Sequence, residues 1–522
     1  MHFQVLSTSL SLALSLLDLG VRAMNVSVPV IPPPSSQPLS STLISFSIEQ
    51  DRWPEWTGVQ SRNEFTFNAL DNYGKLTGKP PALRVGADSE DRTTWSPDVD
   101  IIEAMFPLSS AATPYPEAST ITVGDGFYEL SKFLPSGTVM TWGVNLGANN
   151  ATNAANMARS IAKAFDTPAV KNAQVTLAMI EIGNEADIFN FTGFRGSDWS
   201  VEEYVSEWEA NAGPVSQAAG LKKGGVTFQG AAFGTPQFNP REIFALGILD
   251  SAPGKLITTI SQHRYSITTG SADATLSSFL NKANVRSNLT LWQPDIAATK
   301  QRGLRYVIGE TGSVAFHGAP GISNTAGAAL WVIDYSLQAA TLGIDELFFH
   351  EGVGYKYNFL QPVSLNRSIL DNSPLNPVQP PHVMPSYYAG ILVYSLIGTS
   401  GSAKIVELSV PDDNVSGYAV YEGSTLKRAV FINMHAWLSS STGSRPSVHI
   451  DLSFIGASGS GAKKAIAKRL VIGHADDIQN LTFAGQSFET ADARPDGELV
   501  EESVDIGKGV DLLSTEAVLL SF

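Results

Sequence analysis

The sequence predicts a (β/α)₈ barrel followed by a β-sandwich, and three observations carry that prediction. Eight short strand-like runs lie between residues 42 and 350, with helical stretches between most of them. The fourth and seventh break off at Gly183-Asn184-Glu185 and Gly309-Glu310. Each so delivers a carboxylate to the C-terminal end of a strand, where such barrels carry their chemistry. Past about residue 384 the texture changes: helical periodicity fades after 387–396 and short strand-like runs take over.

In chain order, residues 1–23 read as a signal peptide. An apolar core spans 6–17, and Val21-Arg22-Ala23 offers small residues at positions −3 and −1 of a cleavage site. Residues 24–41 begin with alternating Val26, Val28 and Val30, then turn Pro- and Ser-rich. They read as a strand and connector joining the β-sandwich. The barrel is expected over 42–384, with strands at 42–49, 82–86, 139–147, 175–182, 226–233, 256–263, 305–310 and 346–350. Helices are expected at 62–73, 124–133, 152–165, 201–219 and 323–342, with Pro214 kinking or dividing the fourth. The β-sandwich is expected over 385–522, with Gly459-Ser-Gly461 in a hairpin loop rather than a dinucleotide-binding turn.

A chain of 522 residues has room for a barrel and a second domain. The net charge of −16 argues against nucleic acid as a partner, because phosphate binding needs a basic footprint. No later run of about 20 apolar residues follows the leader, so no membrane partner is expected. Sequons at Asn25, Asn150, Asn190, Asn288, Asn366, Asn414 and Asn480 together with the leader predict a secreted, extracellular protein carrying N-glycans. The absence of cysteine removes thiol catalysis and Cys-bound zinc. The eight histidines show no metal-ligand spacing, so neither metal nor cofactor is expected.

Two carboxylates meeting across a barrel mouth are what retaining glycoside hydrolysis needs, at about 5–5.5 Å apart. Glu185 and Glu310 meet that requirement if the barrel closes as expected; the alternative for each is a salt-bridged Glu at a strand end. Asn184 is placed to bond a sugar 2-hydroxyl. His263 and Tyr265, at the end of the sixth strand, are placed to orient Glu310 and keep it ionised. Asp88, Glu90, Asp91 and Arg92 form either a solvated charge cluster or subsite residues. Trp53, Trp56, Trp95 and Trp142 read as core more than as sugar platforms.

The chain resembles glycoside hydrolase family 79, the family of β-glucuronidases and heparanase within clan A, and its fungal secreted members above all. The resemblance rests on Phe46-Ser-Ile-Glu49, Leu83-Arg-Val-Gly86, Glu181-Ile-Gly-Asn-Glu185, Gly309-Glu-Thr311 and Phe483-Ala-Gly-Gln-Ser487, and covers nearly the whole mature chain. It implies Glu185 as acid/base, Glu310 as nucleophile and Glu49 as a hydroxyl-binding residue. It further implies a β-linked glucuronic acid, or its 4-O-methyl form, as the sugar. At one place the chain departs from the pattern. Family members that read glucuronate hold its carboxylate with a Tyr-Gly-Gly run after the nucleophile, and here Ala315-Phe316-His317 precedes Gly318. Phe316 and His317, with Tyr355 or Tyr357 for a phenol and Lys356 for a charge, are the expected replacements. A retaining β-glycosidase for a neutral sugar is the nearest alternative; a non-catalytic carbohydrate-binding protein on the same scaffold is the other.

Overall fold

The computed structural model describes residues 22–455 and 464–522. The expected leader lies outside them except for Arg22 and Ala23, which open strand Arg22–Pro29; the Gly459-Ser-Gly461 loop also lies outside.

Eight parallel strands close into a barrel, and they are the eight expected runs. They span Ile44–Glu49, Leu83–Gly86, Val139–Val144, Thr176–Ile182, Thr227–Phe233, Ile257–Ile267, Arg305–Val314 and Glu346–Glu351. The eighth returns to pair with the first, Leu347 opposite Ile44. Strands covered on both faces need no polar alternation, and every residue of Ile44–Glu49 is buried. The sixth and seventh run beyond their apolar stretches, so His263 to Tyr265 and Glu310 to Val314 remain in the ladder.

Glu64–Thr77, Ala151–Asp166, Val201–Ala218 and Ala326–Thr341 are among the helices that cover the barrel. Pro214 does not divide its helix, which runs on to Ala218. Asn63 caps the first of these helices and Asn150 the second, each accepting a backbone N–H. The boundary expected at 385 moves. Pro385–Ile397 is a helix that packs against Ala326–Thr341 and Glu64–Thr77 as barrel wall, with the Tyr73 ring 4.9 Å from both Tyr387 and Tyr394. Its sequence, helical in reading over 387–396, is apolar on nearly every side, so no polar stripe marks it as barrel wall.

A small sheet, Thr93–Trp95, Ile102–Met105 and Thr120–Val123, was not expected from the sequence. It follows the second barrel strand and carries the 106–119 loop.

The C-terminal β region has two sheets. Strand Arg22–Pro29 pairs in parallel with Ser447–Ile455, beside Val510–Leu513. The larger sheet is covered on both faces. Along Val415–Glu422, Tyr418 and Val420 join the barrel-side core while Ala419 and Tyr421 face the small sheet. Burial on both faces ties this region to the barrel. Among the described residues, no helix is long and apolar enough to cross a membrane.

Candidate active site

The site is built on a charged layer inside the barrel. Arg84, in the second strand, is fully buried. Its Nε donates to Glu181 Oε1 at 2.7 Å, and its Nη2 donates to Asn184 Oδ1 at 2.7 Å. Its Nη1 donates to Ser47 at 2.8 Å and to Glu310 Oε2 at 3.1 Å. Glu181 also accepts from Gln229 Nε2 at 2.6 Å. A guanidinium supplies this fork of donors in one plane, as an ammonium cannot. Burial opposes the charge on Arg84, but Glu181, Glu310 and Glu90 outweigh it and raise its pKa.

Glu185 leaves the fourth strand through a sharp turn, with Gly183 at φ 79° and Glu185 itself left-handed at φ 49°. Its N–H donates to Ala232 O at 2.8 Å, fixing the turn to the fifth strand. A Cβ on Gly234 would lie 2.5 Å from the Glu185 carboxyl carbon, so this glycine makes room for the acid. Asp91 holds the same turn, accepting from the N–H groups of Asn184, Leu146 and Gly147 at 2.7–2.8 Å. Glu185 Oε1 lies 3.0 Å from His263 Nδ1. Desolvation and then the charge of Glu310 raise the Glu185 pKa to about 8.

Glu310 faces it from the seventh strand. A carboxylate oxygen of each glutamate and a ring nitrogen of His263 all lie within 4.8 Å of one another. The Tyr265 phenol donates to Glu310 Oε1 at 2.8 Å, and His350 Nδ1 lies 3.8 Å from Oε2. Burial pushes the Glu310 pKa up, yet its neighbours bring it down to about 2. His263 is itself depressed to about 4 by burial and is neutral at working pH. The charges that hold Glu310 ionised are therefore His350 and Arg84, and His350 is raised to about 9 against burial by Glu310 and Glu49. Two carboxyls side by side, one protonated and one ionised, are the arrangement that a proton donor and a nucleophile need.

Glu185, His263 and Glu310 offer donor atoms close enough to hold a metal ion. Arg84 and His350 already supply positive charge at Glu310, which works against a divalent cation there.

The other expected residues divide. Asn184 gives Oδ1 to Arg84, leaving Nδ2 as its amide donor. Glu49 is buried, accepting from the Ser89 N–H at 3.0 Å and lying 3.2 Å from His350 Nε2. His263 sits on Glu185, and of the two only Tyr265 donates to Glu310, which Arg84 also bonds. Tyr357 lines the wall between Tyr265 and Tyr355, with ring centroids 5.9 and 5.7 Å away. Phe316 is not brought in. It is 73% exposed, because two successive left-handed residues, Phe316 at φ 59° and His317 at φ 67°, turn the loop outward. His317 and Tyr355 do come together, but on an internal acid. His317 Nε2 and the Tyr355 phenol both bond to Glu117 Oε1. Lys356 is buried against Gly318 and makes no ion pair among the described residues. Trp53, Trp56 and Trp142 are core, and Trp95 packs against that core.

With this geometry in place, comparison with known proteins adds three findings. Residues 417–519 match the profile of the glycosyl hydrolase family 79 C-terminal beta domain. A β-glucuronidase of Aspergillus niger is 27% identical over 491 residues, covering 89% of this chain and 86% of that protein. A β-glucuronidase of Neurospora crassa is 26% identical, covering 90% and 88%. Residues 417–519 thus match one domain of glycoside hydrolase family 79, and the chain is similar over most of its length to these two β-glucuronidases. A solved 4-O-α-L-rhamnosyl-β-D-glucuronidase from Fusarium oxysporum shares its fold. The TM-score is 0.79 at 23% identity, covering 95% of this chain and all of that one. The chain is a glycoside hydrolase, and its substrate is a carbohydrate.

The residues that sequence reading passed over are Arg84, Glu181, Gln229, His350 and Glu117. The first four carried a signal: a polar side chain inside a strand buried on both faces costs too much to be idle. Glu117 carried none, since it lies in an irregular loop.

Proposed function

We propose that the protein hydrolyses a β-glycosidic bond with retention, by double displacement. Glu310 attacks the anomeric carbon as Glu185 gives its proton to the departing oxygen. The resulting ester removes the charge on Glu310 that raised the Glu185 pKa. Glu185, left ionised by that proton transfer, then takes a proton from water and lets it open the ester. Asn184 Nδ2 is the donor offered to the sugar 2-hydroxyl, and Glu49 is a second hydroxyl partner. The observation that carries this reading is the separation of the two carboxylates, within 4.8 Å at their nearest ligand atoms.

The named relatives support a β-glucuronide as substrate, and the proposal extends to its 4-O-methyl form and to glycan chains. One observation favours a second reading, a neutral sugar: His317 and Tyr355 are already engaged by Glu117. Secretion with N-glycans rests on the leader and the sequons, of which Asn25, Asn150, Asn366 and Asn480 are exposed.

Leaving-group dependence tests the assignment of the pair. Glu310→Gln is expected to abolish turnover of every aryl glycoside. Glu185→Ala is expected to spare glycosylation by 2,4-dinitrophenyl glycosides, which need no proton, while p-nitrophenyl and alkyl glycosides lose about 10²–10⁴-fold. An equal loss across leaving groups would remove Glu185 as the acid.

A further inference from the structure

Glu117 lies on the loop before Thr120–Val123, and its placement is fixed from several sides. The neighbouring Ala118 N–H donates to Asp51 Oδ2 at 2.7 Å. The Tyr115 phenol donates to Arg367 O at 3.1 Å, and a Cβ on Gly354 would lie 2.2 Å from the Tyr115 ring. The loop is thereby seated on the turn that follows the eighth barrel strand. From there Glu117 Oε1 meets both the Tyr355 phenol and His317 Nε2, whose ring stacks on Tyr355 at 4.0 Å and 9°. Burial raises the Glu117 pKa, but its bond and charge interaction with His317 and the Tyr355 hydrogen bond outweigh this and bring it to about 2.

This clamp belongs to the pocket of the glutamate pair. The Tyr355 ring is 5.6 Å from His350 and 5.7 Å from Tyr357, and Tyr357 in turn is 5.9 Å from Tyr265, which donates to Glu310. A phenol beside an imidazole nitrogen is a receptor for a carboxylate, and here the protein supplies that carboxylate itself. Glu49 and Glu117 are nearby carboxylates whose charges Asp51 and Asp88 feel, with Arg52 beside Asp51 and Arg92 beside Asp88. The Glu117 side chain is 19% exposed, and a carboxylate has acceptor sites enough to take a further donor beside His317, Tyr355 and its own backbone N–H.

We infer that Glu117 takes the place of a substrate carboxylate, so that the subsite accepts a neutral β-hexopyranoside whose 6-hydroxyl donates to Glu117, and rejects the matching uronoside. The inference rests on Glu185 and Glu310 as the reacting pair. Specificity of this kind uses repulsion of the wrong ligand as much as attraction of the right one.

The test compares kcat/KM of the full chain on p-nitrophenyl β-D-glucoside, β-D-galactoside, β-D-xyloside and β-D-glucuronide. A hexoside should exceed both the xyloside, which lacks the 6-hydroxyl, and the glucuronide by about tenfold or more. In Glu117→Gln and Glu117→Ala the ratio of glucuronide to hexoside turnover should rise by about tenfold or more. Better turnover of the glucuronide than of every neutral glycoside by the wild type overturns the inference. So does an unchanged ratio in both variants. Thermal unfolding with added D-glucose or D-glucuronate reads the same preference without a variant: a shift with glucuronate as large as that with glucose overturns it. Failure to hydrolyse or bind any neutral hexose also counts against it. Activity retained by Glu310→Gln would instead strike the assignment of the pair, and leaves the sugar preference separately readable.

Discussion

Arg84 Nη1 donates to Glu310 Oε2 at 3.1 Å while Nη2 of the same guanidinium donates to Asn184 Oδ1 at 2.7 Å. One buried cation thus positions both the carboxylate assigned as nucleophile and the amide beside the assigned acid. The two lie on strands whose only near contact at this depth is through the barrel interior. Geometry at the mouth is set from below.

Arg84→Met is therefore expected to strand Glu181 and Glu310 without their shared cation. Removing one partner of a buried ion pair costs about 3–5 kcal/mol. Thermal unfolding should show that loss, and kcat should fall with it. Arg84→Lys should recover part of the stability, because charge returns, but little of kcat, because a single ammonium cannot serve Ser47, Glu181, Asn184 and Glu310 together. Wild-type kcat in Arg84→Lys would show that the fork has no role in positioning.

The pH profile gives a second test. Glu185 holds its proton up to about pH 8 because of desolvation first and Glu310 next, and Glu310 stays ionised down to about pH 2. The reactive protonation state thus spans the interval between, and kcat/KM should fall on an alkaline limb near pH 8. Glu310→Gln removes the neighbouring charge, so the Glu185 carboxyl should titrate lower in that variant, as followed by ¹³C NMR of labelled glutamate. An unmoved titration would show that desolvation alone sets the acid.

The barrel was legible because its eight strands are short apolar runs, and the glutamate pair because a carboxylate after such a run has few structural reasons to be there. The interior network was partly visible. Arg84 and Glu181 interrupt runs that are otherwise apolar, but which acid meets which base depends on barrel closure, a long-range fact. Helix Pro385–Ile397 was legible as helical over 387–396 but was assigned to the β region, since it is apolar on nearly all sides and no polar face marks it as barrel wall. Phe316 was expected in the pocket from its place after the nucleophile. Its left-handed backbone turns it out instead, and nothing in the residue types of Ala315-Phe316-His317 announces that conformation. Glu117 comes from a loop distant in sequence from every motif, and only the fold brings it to His317.

Stability should also depend on pH, and the sign can be worked out. Burial raises Asp51 and Glu185 to about 8, Asp88 to about 7, and Asp91 and Asp187 to about 6. The unfolded chain releases these protons near the ordinary carboxyl range of about 4, whereas the folded chain keeps them. Their contribution is whole below that range and is lost as pH rises through about 6 to 8. His350, raised to about 9, adds stability below its ordinary value of about 6.5 that is lost as pH climbs through 9. Glu310 and Glu117, both near 2, act the other way and favour the fold only above the ordinary carboxyl range. His263, lowered to about 4, likewise costs stability as pH falls below about 6.5. Five carboxyls and His350 against these three place the stability maximum near about pH 4–5, with Tm declining toward pH 8. Differential scanning calorimetry across that range at fixed ionic strength checks it. A Tm that is flat or rising between about pH 5 and 8 would mean these buried acids are ionised in the folded protein, and with them Glu185, which could then not serve as the proton donor.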